Sequence, residues 1–216
     1  AMDISVVIVS YKGYERLNSC LNSLKVISGN QFAMQVIVVN NCAGDSVFNE
    51  MKLSYPGFIF IDNPVNGGYS NGCNLGASHA TGDHLLILNP DTVVTENALS
   101  ELLGTIKSDE TLTLLSCRQV NESGKESIAW GPFPAFSNLT GFMRSVLNTG
   151  YKTQKRFREG FPHSIFFPDW VSGSFMLIRR RDFMLFGGFD EDFWMYSEDV
   201  DLCRRISDKG GAVAYH

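Results

Sequence analysis

Two short stretches of this chain put carboxylates where chemistry can be done. In LLILNPDTVV (residues 85–94), four apolar residues read as a strand buried on both faces, and Asn89, Pro90, Asp91 and Thr92 end it abruptly. Pro90 has a fixed φ and biases Asn89 toward extended backbone, so Asp91 is expected in a rigid turn rather than on a loose loop. In SEDVDL (residues 197–202), Glu198, Asp199 and Asp201 fall within one helical turn after Ser197. Carboxylate oxygens hold hard divalent cations. They also take the proton of an attacking hydroxyl when burial or a like charge keeps them basic. Each stretch has a plain structural account as well. Asn-Pro-Asp-Thr makes a turn that starts a helix, and Ser197 followed by three acids suits a helix N-terminus as cap and as complement to its dipole.

The elements around these acids must position them. β-branched and apolar runs predict strands at Ile4–Ser10, Met34–Asn40 and residues 57–62, 84–89 and 112–117. Between them, helical spacing predicts helices at Tyr14–Ile27 and residues 46–53, 71–80 and 96–107, the last capped by Thr95. Strand and helix alternate with short connections, the signature of an α/β fold with a mostly parallel sheet flanked by helices. In such sheets ligands sit outside the carboxyl ends of the strands. Those ends carry Ser10 and Tyr11, Asn40 and Asn41, Asp62 and Asn63, then Asn89 and Asp91. Loops are polar for other reasons, so this alone fixes no site. Past residue 118 the rhythm breaks. Segments 127–136 and 156–170 are rich in Phe, Pro and Gly, flank a candidate helix at 138–147, and read as a lid or as loop packing. Residues 172–190 read as a strand, a short helix and a glycine turn, residues 198–210 as a helix, and GGAVAYH as a last strand. No repeat or low-complexity linker divides the chain, which favours one domain over residues 2–216.

The 216 residues suffice for a core that needs no staples. A net charge of −5 with interspersed signs argues against nucleic acid as a partner, because phosphate neutralisation wants a basic face. Five widely separated cysteines (20, 42, 73, 117 and 203) suit reduced core thiols of a cytoplasmic protein better than disulfides or a zinc site. No run approaches the ~20 apolar residues of a membrane span. SVVIV (residues 5–9) is too short and too close to the start for a secretory signal. Ala1 before Met2 reads as a tag remnant, and a native end beyond His216 is expected. His79, His84 and His163 read as surface or packing residues, and the sequons at Asn121 and Asn138 as chance.

The text around Asp91 runs NPVNGGYSNGCNLGASHATGDHLLILNPDT (residues 63–92). It resembles the inverting family 2 glycosyltransferases of the GT-A fold, particularly the branch that includes bacterial rhamnosyltransferases and other cell-surface glycan transferases. VVIVSYKGYERLNSCLNSL (6–24), WVSGSFMLIRR (170–180) and GGFDEDFWMYSEDVDLCRRI (187–206) extend the resemblance, leaving only residues 119–168 without clear motifs. It implies a nucleotide-sugar-binding half over residues 2–118 and an acceptor-side half over 119–216. The donor would be a UDP- or dTDP-linked sugar, and the acceptor a hydroxyl of a cell-surface glycan or a lipid-linked glycan. A divalent cation, Mn²⁺ or Mg²⁺, would bridge the diphosphate and be held by Asp91. Ser10, Tyr11, Asn40, Asn66, Gly67, Asn71, Asn74 and Asn89 would face the nucleotide sugar. Trp170, Gly173 and Asp190 would lie on the acceptor side, with Ser172 and Ser174 along the sugar. Within Glu198–Asp199, Asp199 would be the general base, and Glu198 would orient it or the acceptor. His216 is left out of the metal set. A part beyond His216 would supply any peripheral contact with the inner face of the membrane.

The chain departs from the family pattern at three places. Asn40 stands where an aspartate usually reads the imide N–H of the base, Ala43 replaces a serine, and Asn89 replaces the first acid of an Asp-x-Asp. An amide carbonyl still accepts from an imide but without charge-assisted strength. A catalytically impaired nucleotide-sugar-binding module is therefore the alternative. A nucleotidyltransferase would want a basic glycine-rich loop after the first strand, and SYKGYERL (residues 10–17) offers only Lys12 and Gly13.

Overall fold

The computed structural model describes residues 2–28, 32–134, 156–157, 162 and 164–216. The expected helix at 138–147, the sequon at Asn138 and His163 lie outside the described residues. The first half alternates as β1 (Ile4–Ser10), α1 (Tyr14–Ile27), β2 (Met34–Asn40), α2 (Ser46–Ser54), β3 (Ile59–Asp62), α3 (Gly68–Ser78), β4 (His84–Leu88), α4 (Glu96–Ser108) and β5 (Leu112–Ser116). Four two-residue strands follow, β6 (Gln119–Val120), β7 (Glu126–Ser127), β8 (Trp130–Gly131) and β9 (Trp170–Val171). The chain then forms β10 (Phe175–Arg179), α5 (Arg180–Leu185), α6 (Glu198–Asp208) and β11 (Ala212–Tyr215).

Seven strands make one sheet in the order β11-β5-β10-β4-β1-β2-β3. Its neighbours are parallel except at β10, which runs antiparallel to both β4 and β5. In β1, Ile4, Val6 and Ile8 enter the core under α1, α2 and α4, while Val7 and Val9 enter the core under α3 and α6. That two-sided burial is why the strand has no polar alternation. The α4 stripe Leu99, Leu102, Leu103 and Ile106 is fully buried, each side chain contributing about 1.5–3 kcal/mol by leaving water. Thr95 caps α4 as expected, its hydroxyl accepting from the Ala98 N–H at 3.4 Å. All five cysteines are free, and burial pushes the Cys20, Cys117 and Cys203 thiols up to about 12.

Helix α3 survives its glycines because they are contact points. A β-carbon on Gly72 would meet the Val9 side chain at 2.7 Å, and one on Gly76 would meet Val7 at 2.4 Å, so the bare backbone lets α3 lie directly on β1. The helix starts at Gly68, three residues before the expected residue 71, since the Tyr69 N–H is held by the Trp194 carbonyl at 2.9 Å. It closes at Ser78 with N–H bonds from His79 to Gly76 and from Ala80 to Ala77. Similarly, β3 starts at Ile59 rather than at residue 57, because Phe58 first closes a turn on the Tyr55 carbonyl.

The chain steps outward from β1 to β2 and β3, then returns across β1 to β4. The direction of winding therefore reverses between β1 and β4, the place where sheets of this kind form a ligand crevice outside the strands' carboxyl ends. Since β10 is antiparallel, with Phe175 opposite Leu88, residues 172–174 enter the sheet at that same end.

Candidate active site

Asp91 stands at the mouth of this crevice. The turn is closed by the Thr92 N–H on the Asn89 carbonyl at 3.2 Å. The Asp91 carboxylate is half exposed, with the Arg16 guanidinium 4.0 Å away. Asn89 does not project freely beside it: its Oδ1 accepts from the Tyr69 phenol at 3.1 Å, and its N–H donates to the Ser174 carbonyl at 3.0 Å.

The same phenol reaches the other acid-bearing segment. Tyr69 Oη also lies 3.0 Å from the Gly173 carbonyl, so its one proton is shared between that oxygen and Asn89 Oδ1, and the Gly173 N–H donates to Asp199 Oδ2 at 2.9 Å. Asp199 Oδ1 accepts from the Val200 N–H at 2.8 Å. A short relay Asn89–Tyr69–Gly173–Asp199 thus joins the turn before Asp91 to the first turn of α6. Burial pushes the Tyr69 phenol well above its ordinary range, so it is a donor here. Glu198 is only 6 % exposed and its Oε2 has no hydrogen-bond partner among the described residues. Burial, and next the charge of Asp199, raises its carboxyl above the usual range. The expected Ser197 cap is not made. Ser197 sits at φ 75°, outside the extended region that a capping side chain needs, and Asp199 binds a first-turn N–H instead. Tyr196 shares this left-handed backbone, and Trp194, Met195 and Tyr196 form an exposed hydrophobic rim before α6.

Several residues expected at the ligand are committed elsewhere. Asn71 and Asn74 share a face of α3, but the two oxygens of Glu191 accept from their amides at 2.8 and 3.0 Å. Asn71 also accepts from Asn63, and Asn74 also pairs with both backbone groups of Phe189, so this face fastens α3 to the loop before α6. Asn66 accepts from the Gly68 N–H, and Gly67 presses against Asn71. The Trp170 indole donates to the Pro132 carbonyl at 2.7 Å and its ring covers Gly131. Asp190 makes a turn with the Asp192 N–H and borders a 410 Å³ depression shared with Asn74, Phe189, Glu191 and Arg205, which contains neither Asp91 nor Asp199. Ser10 is buried and donates to the Lys12 carbonyl; Lys12 and Gly13, both at positive φ, turn Tyr11 outward, 59 % exposed. Asn40 is fully buried with its carbonyl oxygen on the Cys42 N–H, so it does not offer that oxygen to a base as expected. His216 lies 3.5 Å from Glu101, outside the crevice residues. Tyr69, Arg16 and Glu191 were not singled out by sequence; the tyrosine of NGGY was the available signal for the first.

The sequence profile described as "Glycosyl transferase family 2" matches residues 5–183, most of the chain. The chain belongs to glycosyl transferase family 2. Among its relatives, it is 25 % identical over 222 residues to rhamnosyltransferase WbbL of Escherichia coli (strain K12), covering 98 % of this chain and 80 % of that one. It is also 25 % identical over 238 residues to N-acetylglucosaminyl-diphospho-decaprenol L-rhamnosyltransferase of Mycobacterium tuberculosis (strain ATCC 25618 / H37Rv), covering 98 % and 73 %. In three dimensions it is similar to GalNAc-T7 solved with UDP, GalNAc and Mn²⁺, with a TM-score of 0.73, 18 % identity and 99 % of this chain covered. The chain spans 42 % of that solved protein. With the sheet order above, the fold of this family 2 chain is GT-A. Among its described residues no three His, Cys, Asp or Glu side chains cluster to hold a metal. Asp91, half exposed, is the carboxylate here that could hold a divalent cation, with other oxygen ligands coming from outside these residues.

Proposed function

We propose that this chain is an inverting glycosyltransferase that moves a sugar from a UDP- or dTDP-linked donor to a hydroxyl of a cell-surface glycan or lipid-linked acceptor. The observation that carries this reading is the relay from Asn89 through Tyr69 and Gly173 to Asp199, which ties the two acid-bearing segments to one crevice. In the proposed step the acceptor oxygen forms a bond to the anomeric carbon while the bond to the diphosphate oxygen breaks in line. The diphosphate keeps the electron pair, and the acceptor's proton passes to the Asp199 carboxylate. Both oxygens of Asp199 accept backbone N–H groups and each keeps a second lone pair for that proton. Two backbone donors also hold the carboxylate's orientation, which is what a general base requires before its basicity matters. Asp91 is the proposed ligand of Mn²⁺ or Mg²⁺, which when bound supplies positive charge against the departing diphosphate. Arg16, 4.0 Å from Asp91, offers a second positive group at the same mouth. Tyr11 offers an exposed ring for the base to lie on.

The names of the two rhamnosyltransferase relatives support a deoxyhexose donor, and the mycobacterial name alone supports a diphospho-linked acceptor. No helix among the described residues is long and apolar enough to cross a membrane. The proposed meeting with a lipid-linked acceptor is at the cytoplasmic face of the membrane.

Calorimetry with UDP- and dTDP-sugars, with and without Mn²⁺, tests the donor half. Binding strengthened by Mn²⁺ is expected, and Asp91→Ala should weaken it about tenfold or more, as for loss of a charged contact. A wild-type chain that binds neither nucleotide sugar, or an Asp91→Ala chain with unchanged metal dependence, contradicts the reading. The buried Asn40 and neutral Asn89 favour a second reading, a nucleotide-sugar-binding module without turnover. Donor binding with no release of nucleoside diphosphate would select it.

A further inference from the structure

Asn40 and Asp62 end adjacent strands and face each other in register. Burial closes the Asn40 amide to a ligand. It is fully buried, its oxygen accepts from the Cys42 N–H at 3.0 Å, and its nitrogen donates to the Cys42 carbonyl at 2.8 Å and to Asp62 Oδ1 at 2.9 Å. Asp62 is different: its side chain is 33 % exposed at the carboxyl end of β3, with Lys52 Nζ 3.2 Å from its Oδ2. Lys52 is itself placed over the Phe48 ring, 5.3 Å from the centroid. The Asn40 bond therefore orients Asp62 instead of reading anything itself, and the negative charge absent from β2 is present one strand over.

Resting on the donor reading above, we infer that Asp62 is the residue that reads the nucleobase, its carboxylate accepting the ring N–H that uracil and thymine present between two carbonyls, with Lys52 beside it for a ring carbonyl. A carboxylate is acceptor-only, so it discriminates. Uracil offers it a donor in a charge-assisted bond, whereas cytosine turns a bare nitrogen lone pair toward it. An asparagine at the same place can present either its carbonyl or its NH₂ and should lose that distinction.

The test is the preference for UDP over CDP, measured by calorimetry in the presence of Mn²⁺ for the wild-type chain and Asp62→Asn, with melting temperature as the check on folding. The wild type should favour UDP by about tenfold or more, and Asp62→Asn should bring the two to within about threefold, chiefly by weakening UDP. A folded Asp62→Asn chain that keeps the wild-type ratio overturns the inference, whatever its absolute affinities. If the wild type binds UDP but the ratio is unmoved by the substitution, only the role of Asp62 is wrong. If it binds neither UDP nor dTDP, the donor reading fails and this inference falls with it.

Discussion

Glu198 is a carboxylic acid in a place that disfavours its charge. Its side chain is buried, one oxygen has no hydrogen-bond partner among the described residues, and Asp199 adds a like charge next door. Its folded-state titration point is raised, so the folded chain holds this proton more tightly than the unfolded one. The resulting stability is fully present below the ordinary carboxyl value of 4.5 and is lost as pH rises through the raised value. Glu198→Gln removes that dependence. Its melting temperature should match the wild type near pH 4 and exceed it by pH 8, by about 2–4 °C for each kcal/mol of relieved ionisation. Parallel melting curves across that range would show that Glu198 ionises freely. Residue types alone disclosed the acids but not their surroundings. Asp91 and Asp199 were legible because Pro90 and the SEDVDL run mark them, whereas Glu191 and Phe189, which occupy the amide nitrogens of Asn71 and Asn74, lie 115 or more positions away. No local pattern reports such a contact.

At the scale of elements, helices α1 and α4 follow directly from their apolar spacing, and α4 from its threonine cap. Helix α3 is governed by what lies against it. A β-carbon on Gly68, at φ +86°, would sit 2.0 Å from the Trp194 carbonyl oxygen, the acceptor that fixes the start of α3. Gly68→Ala should therefore lower the melting temperature by several degrees, combining a left-handed backbone penalty of about 1 kcal/mol or more with a steric clash. Gly104, on the exposed side of α4 with nothing within 4 Å of a β-carbon, is the contrasting position. There Gly104→Ala should raise stability by about 0.5–1 kcal/mol. Thermal unfolding of the two variants reads the difference, and equal effects would mean that α3 has no special approach to the loop before α6. Alternation of strands and helices announced the parallel sheet but not the insertion of β10, antiparallel, between β4 and β5. That placement depends on which sheet edges are free when residues 170–180 dock, information spread over the whole chain.

Across the whole molecule, strand order brings distant text together. The reversal at β1 and β4 opens the crevice at Asp91, and antiparallel β10 delivers Gly173 to its rim, where the Gly173 N–H holds Asp199. The Asn89 turn and helix α6, more than 100 residues apart in sequence, are thereby linked through one tyrosine hydroxyl and Gly173. In the proposed transfer, Asp199 serves only the proton of the incoming hydroxyl and leaves donor affinity untouched. The decisive measurement is the rate of nucleoside diphosphate release from a bound donor by Asp199→Asn, with donor affinity determined calorimetrically on the same preparation. Affinity should stay within about twofold of the wild type and release should slow by about 10²-fold or more, the range of a lost general base. Release at the wild-type rate, or loss of donor binding in parallel with turnover, would contradict this role for Asp199.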